Sequence, residues 1–179
     1  DGPYKLLDEV DGAPMVRRAV MAMLDSEVDD VVVVLGHERD AVRETLEDLD
    51  VETVDNDAYR EGQSTSLHLG VELARERDWE AIVFGLGDMP FVTGEAIDLV
   101  VQAYAEGHAS IVAAGYEGKR GNPTLFDAAF YDELLEVTGD TGGRPVLMSN
   151  SDVGVVETDE PGVLRDIDTR EDYEAYHAG

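Results

Sequence analysis

A chain of 179 residues is long enough to bury a core of its own, and 41 Asp and Glu against 13 Lys and Arg give it a formal charge of −28. That balance excludes nucleic acid as a partner, because phosphates need a basic stripe to neutralise them, and disfavours an anionic membrane surface. The absence of cysteine excludes disulfides, thiolate zinc sites and thiol nucleophiles together.

Hydrophobic residues make up 43% of the chain and fall in periodic blocks, which separates it from acidic disordered sequences. No apolar run is long enough to span a bilayer and no basic-then-apolar leader opens the sequence, so a soluble, cytoplasmic protein is expected. Lysine occurs only at Lys5 and Lys119, the other basic residues being arginine. An acid-coated, lysine-poor chain looks halophilic, its carboxylates screened by concentrated cations; the alternative is an ordinary acidic mesophile protein. Under the halophilic reading the domain unfolds on transfer to low salt, since the Debye length shrinks to about 3 Å only near 1 M. Thermal melts across a potassium chloride series test this, and a salt-independent melting temperature rules it out.

In chain order, the β-branched run Val31–Leu35, closed by Gly36, predicts a strand buried on both faces. An acidic amphipathic helix is expected over 38–49 and a strand over 51–54. Residues 64–77 carry Leu67, Val71 and Ala74 at helical spacing. A second central strand is expected over 81–86, ending at Gly87-Asp88-Met89-Pro90, then a helix over 94–105 and a strand over 110–114. Later come a short strand over 123–126, a helix over 128–136, and a loop over 138–143 leading to a short helix through Met148. A strand over 153–157 follows, and Asp166-Ile167-Asp168-Thr169 caps a last helix, with Thr169 and Asp172 at capping-box-like spacing. No repeat or linker interrupts the chain, so residues 1–179 read as one domain. Alternating strands and helices call for a largely parallel sheet covered on both faces. Ligands of such sheets bind beyond the carboxyl ends of the strands. Those ends are followed here by Gly36-His37, Asp55-Asn56, Gly87–Pro90 and Gly115–Asn122.

Asp88 follows a buried strand, on a turn fixed by Gly87 and Pro90, which sets a carboxylate rigidly at the edge of that region. Magnesium takes hard oxygen ligands and fills its other positions with water and substrate phosphates, so one or two carboxylates suffice. The competing reading of Asp88, and of Asp166 and Asp168, is helix capping. Ser64 is also expected to serve as an N-cap. His37, His68, His108 and His177 have no ligand spacing. Ser64 and Ser66 lack a His–Asp partner set, and Gly139–Gly143 lacks the ending of a P-loop.

Several blocks stand in a distinctive order: Lys5-Leu6-Leu7 with Gly12-Ala13-Pro14, Asn56 leading to Glu61–Leu67, Gly87–Val92, Gly121-Asn122-Pro123, Thr138-Gly139-Asp140 and Asp166–Thr169. Together they resemble the MobA-like nucleotidyltransferases and, within them, the molybdenum cofactor cytidylyltransferases. The resemblance implies an α/β fold of three α/β/α layers, the Rossmann-like nucleotide-diphospho-sugar transferase fold, with a mostly parallel mixed sheet. It implies a magnesium-dependent enzyme that moves a nucleoside monophosphate from an NTP, with CTP favoured and GTP possible, onto a phosphorylated acceptor such as molybdopterin, releasing pyrophosphate. Handover of the product to molybdoenzymes or their chaperones would follow. Lys5 and Asp88 would be catalytic; Lys5, Gly62, Gln63, Ser64, Gly87 and Asp88 would bind the nucleotide. Gly121, Asn122 and Asp140 would meet the acceptor, and Asp88 with Asp168 would hold Mg2+, Asp166 being able to exchange with Asp168. The family opens with a strand and a glycine-rich loop just before the lysine, whereas only Asp1-Gly2-Pro3-Tyr4 precede Lys5 here, so residues upstream are expected. Guanylyl transfer and an inactive nucleotide-binding regulatory subunit are the alternatives.

Overall fold

The computed structural model describes residues 5–167, 171–172 and 174–175. Its elements are β1 (Glu9–Val10), β2 (Ala13–Pro14), α1 (Met15–Asp25), β3 (Val32–Leu35), α2 (Arg39–Glu44), β4 (Glu52–Asp55), α3 (Ser64–Glu76), β5 (Ala81–Phe84), α4 (Gly94–Ala105), β6 (Ile111–Tyr116), β7 (Lys119–Asp127), α5 (Tyr131–Leu135), α6 (Arg144–Ser149) and β8 (Val153–Glu157). Short 3-10 turns lie at Lys5–Leu7, Tyr59–Glu61, Ala128–Phe130 and Pro161–Leu164. No described helix is long and apolar enough to cross a membrane.

Side chains of a strand alternate between its two faces, and β6 and β7 use both. Ile111, Ala113 and Phe126 enter a core with Leu67 and Val71 of α3, Leu134 of α5 and Val146 of α6. Val112, Ala114 and Leu125 enter a second core with Ala96, Val100 and Ala103 of α4 and with Val163. Helices therefore cover both faces of a four-stranded sheet ordered β5-β7-β6-β8. In it β7 runs antiparallel to β5 and β6, while β6 and β8 are parallel. The three-layer α/β/α fold with a mixed sheet is the one expected.

A second, parallel pair is formed by β3 and β4, with Val32 opposite Glu52 and Leu35 opposite Asp55. Two helices span both sheet segments. From one side, Val16 and Val20 of α1 pack on Leu35, while Met23 of the same helix lies so close to Gly85, just past β5, that a Cβ there would strike it. On the other side α3 touches both β3 and β5, and its Gly70 lies against Ile82 and Phe84. Among the described residues no ladder joins β3 to β5.

Several expectations change in detail. The Val31–Val34 run is only half-buried, because among the described residues β3 has a ladder partner on one edge alone. The acidic helix is short: α2 stops at Glu44, and turn bonds such as Leu46 N–H to Arg43 C=O and Leu49 N–H to Leu46 C=O carry the chain onward. The strand expected over 123–126 extends back to Lys119, where hairpin pairing with β6 overrides polar local sequence. The helix expected over 128–136 divides into a 3-10 turn and α5.

Candidate active site

The turn after β5 is built to hold a carboxylate still. Met89 and Pro90 are buried anchors, and Met89 N–H closes the turn on Leu86 C=O at 3.2 Å. A Cβ on Gly87 would lie 3.1 Å from Leu6 Cδ1, so glycine lets the Lys5–Leu7 turn come close. That approach brings Lys5 Nζ to 3.3 Å from Asp88 Oδ2, the ammonium donating. The side chains keep 36% and 23% of their accessible surface. An ion pair that wet contributes about 0–1 kcal/mol, so an incoming charged ligand can separate it at little cost. Ile167 N–H donates to Asp88 C=O at 2.8 Å, which fastens the far end of the chain to the same turn. Asp166 beside it is exposed, and Asp168 lies outside the described residues. From the opposite side Arg18 Nε reaches Pro90 C=O at 3.4 Å.

Gly62-Gln63-Ser64 forms a second feature. Gly62 has φ +124°, and a Cβ on it would overlap the carbonyl group of Gly139. Ser64 N–H donates to Gly139 C=O at 3.2 Å, and Gln63 N–H donates to Asp140 Oδ1 at 3.1 Å. The first amides of α3 are thus satisfied by the loop before α6. The expected serine cap is absent: Ser64 is the first helical residue, and Gln63 takes the cap position without a side-chain bond. Asp140, expected with the acceptor residues, is placed against Gln63.

Asn56, buried behind this region, was legible only as part of a motif. Its N–H donates to Leu35 C=O at 2.7 Å, and its Nδ2 donates to Thr65 Oγ1 at 2.8 Å and Ser66 Oγ at 2.9 Å. Ala58 N–H donates to its Oδ1 at 3.0 Å. One residue, through its backbone N–H and its side-chain amide, therefore joins β3, the turn after β4 and the start of α3.

The third feature is Gly121-Asn122-Pro123 on β7. A Cβ on Gly121 would overlap Val163 C=O. Asn122 and Pro123, joined by a cis peptide bond, line a small apolar cleft with Gly85, Leu86 and Met89, so this segment borders the approach to the Asp88 turn. Of the histidines, His37 packs edge-on against Tyr59 and His108 lies 3.0 Å from Glu106. His177 lies outside the described residues. Among the described residues no three His, Asp or Glu side chains form a metal-sized group.

The family model of the MobA-like NTP transferase domain matches residues 1–153. The bifunctional protein GlmU of Cutibacterium acnes is 35% identical over 103 residues, which are 57% of this chain and 24% of that protein. The chain thus spans about a quarter of that relative's length. Rv0371c of Mycobacterium tuberculosis, crystallised with manganese, superposes with a TM-score of 0.82 at 24% identity, over 99% of this chain and 92% of that one. A nucleotidyl transferase from Methanothermobacter gives 0.80 at 26% identity, over 97% and 83%.

Proposed function

Because the chain belongs to the family of MobA-like NTP transferase domains, we propose that it transfers a nucleoside monophosphate from an NTP to a phosphorylated small-molecule acceptor. The observation that carries this reading is the Lys5–Asp88 pair at the carboxyl end of β5. An oxygen of the acceptor phosphate attacks the α-phosphorus, the bond from that phosphorus to the β-phosphate oxygen breaks, and pyrophosphate leaves. The attacking oxygen is already ionised at neutral pH, so no general base is needed, and the protein's task is alignment and charge neutralisation. Lys5 supplies a cation to the triphosphate; the Gly62–Ser64 segment, its N–H groups taken up by Tyr59, Asp140 and Gly139, meets the base through the exposed Gln63 side chain. Gly121 and Asn122 border the acceptor.

The donor set fits a divalent cation: Asp88 offers a partly exposed carboxylate whose salt bridge is weak enough to yield. Asp88, with Asp168, would hold Mg2+, which when bound neutralises charge on the triphosphate and the departing pyrophosphate.

The finer reading is a cytidylyltransferase acting on the molybdenum-cofactor pterin. Recognition of a base edge by a few hydrogen bonds gives discrimination of a few kcal/mol, because the wrong base leaves polar groups unpaired. Pyrophosphate release with molybdopterin should therefore be faster with CTP than with GTP or ATP. A clear GTP preference moves the protein to guanylyl transfer, and no release with any of the three overturns the transferase reading.

A further inference from the structure

In a chain with 41 acidic residues, an arginine without a carboxylate partner is informative. Several described cations have one: Lys5 pairs with Asp88, Arg17 with Asp48, Arg39 with Asp57, Arg43 with Asp40, Arg75 with Asp132 and Arg77 with Glu52. Arg18, Arg60, Lys119, Arg120 and Arg144 have none among the described residues; Arg18 turns to Pro90 C=O and Arg60 to the Tyr59 ring, while Arg120 and Arg144 both stand next to Met148. Arg120 leaves β7 on the face that α6 covers, and its guanidinium donates to Met148 Sδ at 3.0 Å. Arg144 lies one helical turn before Met148, on the same side of α6. Met148 is also the most exposed of the large hydrophobic residues among those described, at 60%. Position is fixed from below, since a Cβ on Gly143 would lie 2.8 Å from the Phe126 ring, so α6 is seated directly on the sheet. Arg120 itself immediately precedes Gly121-Asn122, and Asn122 lines a small cleft together with Leu86 and Met89, the residues that bracket Gly87-Asp88.

We infer that Arg120, Arg144 and Met148 form a binding site for a phosphomonoester carrying a flat or apolar body, the phosphate lying between the two guanidinium groups and the body against the thioether. Planar guanidinium groups match the geometry of phosphate oxygens and hold them in pairs of hydrogen bonds. A methionine sulfur packs well on rings. This site deepens the proposed function by supplying the acceptor's anchor, and it rests on that reading for its role but not for its existence.

Calorimetry on the full chain at one fixed potassium chloride concentration tests it, with inorganic phosphate and phenyl phosphate as probes. Both should bind saturably, phenyl phosphate about fivefold more tightly. Arg120→Gln and Arg144→Gln should each weaken both probes at least about fivefold, and Met148→Ala should remove only the advantage of the phenyl ring. Arg75→Gln, whose partner is Asp132, should leave both affinities unchanged. Absence of saturable binding, or an equal loss in Arg75→Gln, overturns the site. Because no NTP is present, this result is independent of whether pyrophosphate release is found. If binding stands and release fails, the proposed reaction is wrong while the site remains.

Discussion

Asp88→Asn should lower turnover about a hundredfold or more while leaving the fold intact. Asparagine keeps the shape of the side chain and removes its charge. The features that shape the turn do not involve the carboxylate: Met89 and Pro90 stay buried, and the bond from Ile167 is to the backbone carbonyl. The ion pair with Lys5 is too wet to contribute more than about 1 kcal/mol to stability. What is lost is the group that would hold a divalent cation over the triphosphate, and a hundredfold corresponds to about 2.7 kcal/mol of transition-state stabilisation. Pyrophosphate release at saturating NTP, beside a circular dichroism melt, separates the two effects. An active Asp88→Asn enzyme sinks the transferase assignment, and an unfolded one shows that the turn depends on the charge after all.

The largest structural effect is expected from Gly62→Ala. A Cβ at this position meets backbone, the carbonyl of Gly139, and the φ of +124° is itself strained for any side chain. The clamp between the start of α3 and the loop before α6 must open, at a cost of about 2–4 kcal/mol. In a domain of this size that lowers the melting temperature by roughly 2–4 °C per kcal/mol. NTP affinity should fall with it, because the displaced segment carries Gln63, the side chain proposed to meet the base. Gly12→Ala is the matched control, with φ +90° and nothing within 4 Å of the added carbon, so it carries conformational strain alone. Equal losses in the two variants show that the Gly62–Gly139 contact is not a clamp.

Much of the fold was legible because burial leaves a period in the sequence. The helix at 94–105 and the strand at 153–157 are observed with the expected bounds, each being an apolar block with a sharp polar boundary. Elements fixed by partners rather than by their own residues were not legible. Lys119–Asn122 has no strand character of its own and is extended only because β6 pairs with it. Ser64 has the chemistry of a cap, yet the loop around Gly139 reaches the helix amides first. The same distinction runs through the site. Lys5 and Asp88, far apart in sequence, were both visible as motif residues, and the structure brings them together. The contact of Asp140 with Gln63 is made to a backbone amide and leaves no trace in residue type. Arg120 and Arg144 were hidden for another reason, since each is an ordinary exposed arginine until the fold sets one against the turn of helix that carries the other.

The contact of Gly62-Gln63-Ser64 with the loop before α6 would give the two proposed substrates a shared lever. The loop is bound to Gln63 and Ser64 through Asp140 and Gly139, and it runs directly into Arg144. A nucleotide that settles against Gly62–Ser64 also settles the backbone from which Arg144 projects. In the proposed reaction the first ligand therefore orders part of the second ligand's site, and linkage makes the favour reciprocal: whatever factor the NTP adds to acceptor affinity, the acceptor adds to NTP affinity. Cooperation of that kind requires no hinge and no movement of the sheet. It requires only that one short loop be held at both ends, by the base side in front and by Phe126 beneath Gly143 behind.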